Sequence, residues 1–349
     1  MKQNISTPIA PVKSGRGHLL VYAGIWFTVS VWGTSFVAAR FLLHPTSAGQ
    51  VALSPTLLAA LRFSIASLFF VVPLIRALVQ RQITYRDLLL MALLGQIGFS
   101  LYFWLQYTGV QKTNASISSI LVVGLIPIVT AFLARFFGAE RHSWLTFGIL
   151  LLGFCGVAII VFQNQVTVTL RSDFLLGALC LISNAFAFAI YSNLSKRWMK
   201  GISPLLMTGG TMTSGALGLV LLTLLDPAHN RWGDVLHMDA VQWLALLFLS
   251  LVCSIIAYFL YNYALIRIDA SRAAVYIYFE PVFTILLSIT LLAERLSWQT
   301  ILGTAVIALS VALVNLSKKQ GKSILFKRFN RWTRSFFQKS SKLLEFLFR

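Results

Sequence analysis

The sequence predicts an all-α polytopic membrane protein of ten transmembrane helices, arranged as two inverted five-helix repeats. The first observation is the composition: of 349 residues, 58% are hydrophobic and 11% are charged, and the mean hydropathy is +0.80. Soluble domains carry about a quarter charged residues, so this is the composition of a membrane protein. The other two observations are a series of apolar runs long enough to cross a bilayer and a sequence repeat between the two halves of the chain.

Ten apolar runs give the predicted spans. A helix needs roughly 20 apolar residues to cross the hydrocarbon core. The runs lie at about 19–39, 55–77, 88–109, 114–136, 144–162, 174–195, 204–225, 241–264, 270–292 and 298–316. No small-residue cleavage site follows the first run, so we expect it to remain as a helix. Cys155, Cys180 and Cys253 all fall inside such runs, which is typical of small core residues rather than of disulfides or metal ligands.

The distribution of Lys and Arg predicts the orientation of the spans. With the N-terminus inside, 13 of these residues fall on the inner side before the tail, 10 more fall in the tail, and 5 fall outside. The cytoplasmic loops of membrane proteins carry the excess of Lys and Arg. Both termini are therefore predicted to be cytoplasmic, in a multi-pass protein of the inner cell membrane.

The internal repeat is the most specific feature of the sequence. The segment AERHSWLT (Ala139 to Thr146) follows the fourth span, and AERLSWQT (Ala293 to Thr300) follows the ninth. Six of eight positions match at an offset of 154, and the same offset takes Pro127 to Pro281. Because each half has an odd number of spans, the second half enters the membrane from the opposite side. The repeat is therefore inverted, an architecture typical of secondary transporters.

Several segments resemble the EamA branch of the drug/metabolite transporter superfamily. They are WGTSF (Trp32 to Phe36), ALRF (Ala60 to Phe63), YFEP (Tyr278 to Pro281), and a proline in the fourth and ninth spans that is followed by a terminal Glu (Pro127 and Glu140, Pro281 and Glu294). The resemblance covers roughly residues 19–316. It implies a ten-helix carrier of small organic metabolites, often an exporter of amino acids or related compounds.

These features divide the chain into five parts. They are a cytoplasmic N-terminal segment (1–18), a first five-helix EamA-like repeat (19–162), a linker (163–173), a second such repeat (174–316) and a tail (317–349). The tail has apolar residues at helical spacing among many Lys and Arg, which predicts a basic amphipathic helix on the anionic lipids of the inner leaflet. Docking of a partner is the alternative. Beside so much hydrophobic sequence, the net charge of +19 indicates a membrane surface rather than nucleic acid.

Two ionisable residues lie well inside the predicted spans, Arg62 and Glu280. An ionisable group within the bilayer costs at least ~2.5 kcal/mol on insertion scales, so each requires an explanation. At ~1.5 Å per residue, Arg62 lies ~10 Å below the outer end of the second span, and Trp32 and Ser35 lie at a similar depth on the first. Glu280 lies near the midplane on the ninth. These residues are therefore expected to line one outward cavity.

Neither charge recurs in the other half of the repeat. Glu280 aligns with Ile126, and the seventh span has no arginine to match Arg62. Charges present in one half only are better candidates for chemistry than charges present in both. A carboxylate and a guanidinium in one cavity would receive the two ends of a zwitterionic substrate. Alternatively, Glu280 takes up and releases a proton, or it serves the structure by bonding a neighbouring helix or capping the backbone freed by Pro281.

Polar and aromatic residues spaced along the helices complete the predicted substrate site. They are Tyr102 and Gln106 in the third span, Tyr258 and Asn262 in the eighth, Tyr276 one turn from Glu280 in the ninth, and Asn184 and Tyr191 in the sixth. Residues four apart share a helix face, so these positions are expected to face a cavity. The alternative for each is hydrogen bonding between helices, or interfacial anchoring for the tyrosines.

The sequence carries no signature of a cofactor, metal or nucleotide site, and all five His lie outside the spans. An enzyme is not expected, since the spans lack paired acids or a buried His. The repeat favours a carrier that works by alternating access over a channel, with a small metabolite as its substrate. A non-transporting receptor or assembly protein on the same scaffold stays open, as does a homo-oligomer.

Overall fold

Helices form all the regular structure of the described chain. The computed structural model describes residues 15–45, 50–112, 115–137, 144–162, 172–283 and 298–319. The first half contains α1 (Gly15–Leu43), α2 (Pro55–Val79), α3 (Tyr85–Gly95), α4 (Tyr102–Lys112), α5 (Ala115–Phe136) and α6 (Trp144–Phe162). The second half contains α7 (Ser172–Trp198), α8 (Pro204–Leu225), α9 (Ala240–Leu247), α10 (Ala257–Leu265), α11 (Ala270–Val275) and α12 (Trp298–Lys319).

The helices have the length and composition to cross a membrane. Within the described ranges, six long apolar segments can do so, namely Leu19–Leu43, Pro55–Val79, Tyr85–Lys112, Leu175–Trp198, Pro204–Leu225 and Ala240–Leu265. Three shorter apolar helices accompany them, at Leu121–Phe136, Leu145–Ile159 and Ile301–Val314. Large side chains such as Leu68, Phe69 and Leu221 are exposed on the outer surface, where they suit a lipid environment. The predicted all-α membrane fold is confirmed.

The third and eighth spans are not the single α-helices that the sequence predicts. A π-helical segment, Gln96–Leu101, joins α3 to α4, and a second one, Phe248–Ile256, joins α9 to α10. A π-helix closes hydrogen bonds five residues apart, so it rotates the side chains that follow it relative to a continuous α-helix. Both segments occupy the third span of their half, which is the same place in the repeat.

The two faces of the helical bundle can be defined by ion pairs between helix ends. On the Lys112 face, α4 ends and α7 begins, and Lys112 Nζ lies 3.1 Å from Asp173 Oδ1. On the opposite, Lys196 face, α7 ends and α11 begins, and Lys196 Nζ lies 3.2 Å from Asp269 Oδ1. The chain crosses between these faces, so α2 begins on the Lys112 face and its repeat mate α8 begins on the Lys196 face. The duplicated halves therefore run in opposite directions.

The halves interleave rather than lying side by side. Helix α2 packs on α8 and α6 packs on α12, so repeat mates meet across the bundle. Helix α1 packs on α10, and α7 packs on α4, which is the equivalent pairing with the halves exchanged. Each half thus completes its core only against the other.

A polar joint on the Lys112 face ties residues 50–54 to the start of α9. Asp239 caps α9 and accepts a hydrogen bond from Gln50 Nε2 at 2.8 Å. Gln242 Nε2 donates to the Val51 carbonyl at 2.7 Å, and the Gln242 side chain is fully buried. The backbone amide of Gln242 and the Gln50 side chain together hold the pKa of Asp239 below its usual value.

Three predicted features lie outside the described residues. They are the AER triplets of the repeat (139–141 and 293–295), the ninth span beyond residue 283, and the basic tail from residue 320 onward.

Candidate functional site

A cavity of about 410 Å³, including its open part, lies in the half of the bundle nearer the Lys112 face. It is lined by Trp32, Ser35, Ala39, Arg62, Tyr102, Phe103, Gln106, Tyr107, Tyr258 and Glu280. These residues come from α1, α2, α4, α10 and the turn after α11, so both halves of the repeat contribute. Pockets for small molecules are commonly lined by apolar and aromatic side chains with a few polar groups. The cavity fits that description.

Arg62 provides the positive charge of the cavity. It lies two turns into α2, which begins with the N-cap Ser54 and Pro55 at its first position. Only 3% of the residue is exposed. Its guanidinium carbon is 5.0 Å from the ring centroids of both Phe63 and Phe103, within cation–π distance.

Neutral hydroxyls hold the Arg62 guanidinium in place. Its Nε donates to Ser254 Oγ at 2.7 Å, and its Nη1 donates to the Tyr107 hydroxyl at 3.1 Å. Ser254 Oγ in turn donates to the Leu249 carbonyl, five residues earlier in the second π-helical segment. Across the described chain, no carboxylate lies within 4.0 Å of the guanidinium, and no acceptor engages Nη2. A buried charge without a fixed counter-ion favours an anionic ligand.

Glu280 provides the acidic group of the cavity and is 5% exposed. It follows a 3₁₀ segment, Tyr276–Phe279, and precedes Pro281. Helix α1 passes close to it because of Gly33, in the WGTSF segment. A Cβ built on Gly33 would lie 2.5 Å from the Glu280 carbonyl oxygen, so the close approach requires glycine at this position. This close approach brings Trp32 and Ser35 next to the turn that carries the Glu280 side chain.

Aromatic rings form the floor of the cavity. Trp32 Nε1 donates to the Cys253 carbonyl of the second π-helical segment at 3.0 Å. The Trp32 ring centroid lies 4.9 Å from that of Tyr258 and 5.3 Å from that of Tyr261. The ring centroid of Phe99 lies 4.8 Å from that of Tyr258, so Phe99 continues the floor toward the Lys196 face. Buried aromatic packing of this kind closes the site from below.

Seven of the predicted site residues line this cavity together. They are Trp32, Ser35, Arg62, Tyr102, Gln106, Tyr258 and Glu280. The remaining four lie elsewhere. Asn184 donates to the Tyr102 carbonyl at 2.8 Å and so supports a cavity residue from behind.

Tyr191 and Asn262 are hydrogen-bonded to each other on the side of the aromatic floor that is away from the cavity. The Tyr191 hydroxyl donates to Asn262 Oδ1 at 3.0 Å. This is the contact between helices that was the alternative to a role in the cavity. Asn262 shares a helix face with Tyr258, but it lies one turn nearer the Lys196 face.

Tyr276 packs away from the cavity lining, against α1. Its ring centroid lies 6.0 Å from that of Tyr22 and 5.7 Å from that of Trp26. The expectation that Tyr276 and Glu280 share a face assumed an α-helix of 3.6 residues per turn. The 3₁₀ segment has three residues per turn, so positions four apart diverge.

Four contributors to the site are missing from the sequence-based set. Phe103, Tyr107 and Ala39 line the cavity, and Ser254 holds Arg62 from behind. Tyr107 lies five residues after Tyr102, a spacing that the four-residue rule does not select. Ser254 contacts Arg62 by way of a π-helical segment that has no sequence signature. Within the described ranges, no group of three or more His, Cys, Asp or Glu residues lies together as a metal site would.

Comparison with known proteins places both halves in one family. The family model of the EamA-like transporter family matches residues 19–162 and 175–316. An uncharacterized transporter of Archaeoglobus fulgidus is 27% identical over 287 residues, covering 82% of this chain and 95% of its own. The uncharacterized transporter YcxC of Bacillus subtilis is 26% identical over 293 residues, covering 82% and 92%.

A solved crystal structure shares the fold. It superposes with a TM-score of 0.66 at 19% sequence identity and covers 86% of this chain and 97% of its own. The duplicated family match, the inverted halves and the charged cavity between them agree. This chain belongs to the EamA-like transporter family of the drug/metabolite transporter superfamily, and it is a multi-pass membrane transporter rather than an enzyme.

Proposed function

We propose that this transporter is a secondary active carrier of small zwitterionic metabolites, with amino acids as the model substrate, and that it works as an exporter by alternating access between its inverted halves. The observation that carries the proposal is the pair of opposite charges, Arg62 and Glu280, buried in one aromatic cavity. Inverted repeats with a site between them are the architecture of alternating access. The outward direction follows the resemblance of the WGTSF and ALRF segments.

The Arg62 end of the cavity binds the substrate's carboxylate. Nε and one hydrogen of Nη1 are engaged by Ser254 and Tyr107, which leaves Nη2 for the ligand. The Tyr107 hydroxyl accepts from Arg62, so its own proton is available to the same carboxylate. Charge-assisted hydrogen bonds of this kind are about twice as strong as neutral ones.

The Glu280 end receives the ammonium group, or a proton when the substrate is absent. One carboxylate that exchanges these two cations would couple the substrate to a proton gradient, because it cannot hold both together. The rings of Trp32, Tyr102 and Tyr258 also line the cavity, and they suit an apolar side chain of the substrate. The remaining predicted substrate contacts, Ser35 and Gln106, lie on the same lining.

The orientation follows from the positive-inside rule. The Lys196 face is cytoplasmic, both termini are on that side, and the membrane is the inner cell membrane. The cavity of this conformation then lies toward the outside. The tail contributes an attachment to anionic lipids of the inner leaflet.

A counterflow assay on reconstituted protein tests the carrier proposal. Proteoliposomes preloaded with one metabolite of a panel are offered the same labelled metabolite outside. Uptake above empty liposomes is expected for a zwitterionic amino acid. Arg62→Gln should weaken binding about 30-fold, since a hydrogen bond to a charged group contributes ~2 kcal/mol. Arg267→Gln is the matched control, because Arg267 stacks on Tyr263 away from the cavity.

Glu280→Gln tests the coupling role in the same assay. Counterflow is expected to persist with weaker substrate binding, because the ammonium group loses a charge-assisted hydrogen bond, and its dependence on an imposed pH gradient is expected to disappear. Asp173→Asn, at the exposed ion pair of the Lys112 face, is the control. Unchanged pH dependence in Glu280→Gln would contradict proton coupling. Absence of counterflow across the whole panel, with Arg62→Gln as stable as the wild type, would favour the receptor or assembly role.

A further inference from the structure

Structural landmarks give the correspondence between the two halves more directly than the sequence does. Helix α2 begins with the cap Ser54 followed by Pro55, and α8 begins with the cap Ser203 followed by Pro204. Each serine accepts a hydrogen bond from the backbone three residues on. The two π-helical segments give a second landmark in the third span of each half. The segments have six and nine residues, so the count runs from the last residue of each, and it agrees with a count from Thr84 and Asp239, which cap the helices that begin these spans. Residues counted in this way are pseudo-symmetric mates.

By that count, the Arg62 site has a counterpart on the opposite face. Arg62 lies eight residues after Ser54, and Thr211 lies eight residues after Ser203. Tyr107, which holds Arg62, lies six residues after the first π-helical segment, and Asn262 lies six residues after the second. The mates of Arg62 and Tyr107 are therefore a neutral hydroxyl and an amide.

Thr211 and Asn262 belong to a buried group of polar residues around Tyr191, which we call the Tyr191 cluster. Its members are Tyr191, Ser195, Thr208, Thr211 and Asn262. Asn262 Nδ2 lies 2.9 Å from both the Tyr191 hydroxyl and Thr208 Oγ1. The Thr211 and Ser195 hydroxyls lie close to that of Tyr191. All five residues are fully buried.

The Tyr191 cluster lies between the cavity floor and the Lys196 face. Phe99 touches both regions, with its ring 4.8 Å from Tyr258 of the cavity and 5.6 Å from Tyr191. Thr208 is one turn from the start of α8, and Asn262 is three residues from the end of α10, both on the Lys196 face. One polar atom in this closed region is not satisfied: Ser195 Oγ forms no hydrogen bond with any described residue. The Tyr191 cluster therefore retains one hydroxyl without a fixed hydrogen-bond partner, although buried polar atoms usually have one.

From this symmetry we infer that the Tyr191 cluster is the second half of the transport path, a neutral substrate site that opens to the Lys196 face when the Arg62 cavity closes. The inference rests on the proposed function. In an inverted repeat, the conformation that exchanges the roles of the halves places Thr211 and Asn262 on the lining of a cavity, as Arg62 and Tyr107 are now. The hydroxyls and the amide then hydrogen-bond the carboxylate and ammonium groups of the same zwitterion.

The missing charges give this second site a distinct property. Thr211 stands where an arginine would be, so the substrate's carboxylate meets neutral donors only. Neutral hydrogen bonds are about half as strong as charge-assisted ones. The path must bind well enough to admit the substrate and weakly enough to release it. The asymmetry between Arg62 and Thr211 therefore makes the Lys196 side the weaker of the two, with a higher half-saturating concentration.

Cysteine accessibility tests whether the cluster opens. Thr211→Cys and Asn262→Cys are placed separately in a Cys155→Ala, Cys180→Ala background; Cys253 is kept because its thiol is buried. A membrane-impermeant maleimide is applied to vesicles of known orientation. Both cysteines are expected to react from the Lys196 face at least tenfold faster than the background protein. The control is Thr223→Cys, an equally buried threonine near the other end of α8.

The accessibility result is independent of finding the substrate. If both cysteines stay as unreactive as Thr223→Cys while counterflow proceeds, the inference is overturned and the proposed function stands. If they react but no metabolite of the panel gives counterflow, the opening is supported and the proposed function fails. Protection of both cysteines by a panel amino acid that gives counterflow would support the binding role.

A second measurement tests whether Asn262 contacts the substrate or serves only the hydrogen bond to Tyr191 that joins α10 to α7. Asn262→Leu is assayed for half-saturation from each face of sealed vesicles. About a tenfold increase is expected from the Lys196 face, the effect of one lost hydrogen bond, with less than about a twofold change from the Lys112 face. Equal changes from both faces would assign Asn262 to the structure alone.

Discussion

Replacement of Gly33 by alanine is the sharpest test of how α1 is seated. The new Cβ would lie 2.5 Å from the Glu280 carbonyl oxygen and 3.2 Å from Phe283 Cβ. A backbone carbonyl cannot rotate out of the way as a flexible side chain would. Restoring an ordinary contact therefore moves α1 away from the Glu280 turn by about 1 Å, and overpacking of this kind costs about 1–3 kcal/mol.

The matched control is Gly148→Ala in α6, where a Cβ would meet nothing within 4 Å. In both helices alanine gains about 0.5–1 kcal/mol of helix propensity over glycine. Gly148→Ala is therefore expected to raise the unfolding temperature, and Gly33→Ala to lower it.

Thermal unfolding of both variants in the same detergent gives the comparison, with a spread of about 2 kcal/mol between them expected. Because Trp32 lies beside Gly33, the Gly33→Ala variant should also bind substrate more weakly. If Gly33→Ala is as stable as Gly148→Ala, the close approach of α1 to Glu280 is wrong.

Three further changes test other contacts. Ser254→Ala removes the 2.7 Å hydrogen bond to Arg62 Nε and should weaken substrate binding about tenfold in counterflow, whereas Ser250→Ala, buried on the same segment, should not. Trp32→Phe removes the bond to the second π-helical segment and should lower the free energy of unfolding by about 1 kcal/mol, measured by denaturant titration; no change would mean that this bond is replaced. The pKa of Asp239 is lower in the folded protein than in the unfolded chain. The ionised carboxylate therefore stabilises the fold at pH values above the unfolded-state pKa, and this stabilisation is lost as pH falls through the folded-state pKa. The unfolding temperature of Asp239→Asn should therefore lie below that of the wild type near neutral pH and approach it as pH falls from about 6 to about 3; a constant difference would refute this.

The sequence contains most of the architecture because hydrophobicity and repetition are local signals. Apolar runs separated by charged loops locate the spans within a few residues, and the matched AER segments fix the duplication. Arg62 and Glu280 stand out for the same reason, since a charge in an apolar run is conspicuous and costly. The structure places both on one cavity lining.

The geometry inside the spans depends on contacts that the sequence does not display. The π-helical segments arise where helices of different halves meet, and they determine that Ser254 reaches Arg62. Four-residue spacing assumes an unbroken α-helix, which holds for Tyr102 and Gln106 on α4 but fails across the 3₁₀ turn at Tyr276. Depth along a helix also matters, because Asn262 shares a face with Tyr258 and still lies beneath the aromatic floor.

The distance along the chain between Arg62 and its partner has a consequence for biogenesis. Ser254 is 192 residues downstream of Arg62, in the second half of the protein. A ribosome delivers α2 to the membrane long before the eighth span exists. The newly inserted Arg62 therefore lacks Ser254, the native acceptor for its Nε. A charged side chain in that position costs about 2.5–3.5 kcal/mol, which disfavours early consolidation of the first five spans. Synthesis of the eighth span supplies Ser254 and removes this cost. The second half of the chain thus determines when the first half reaches its native packing.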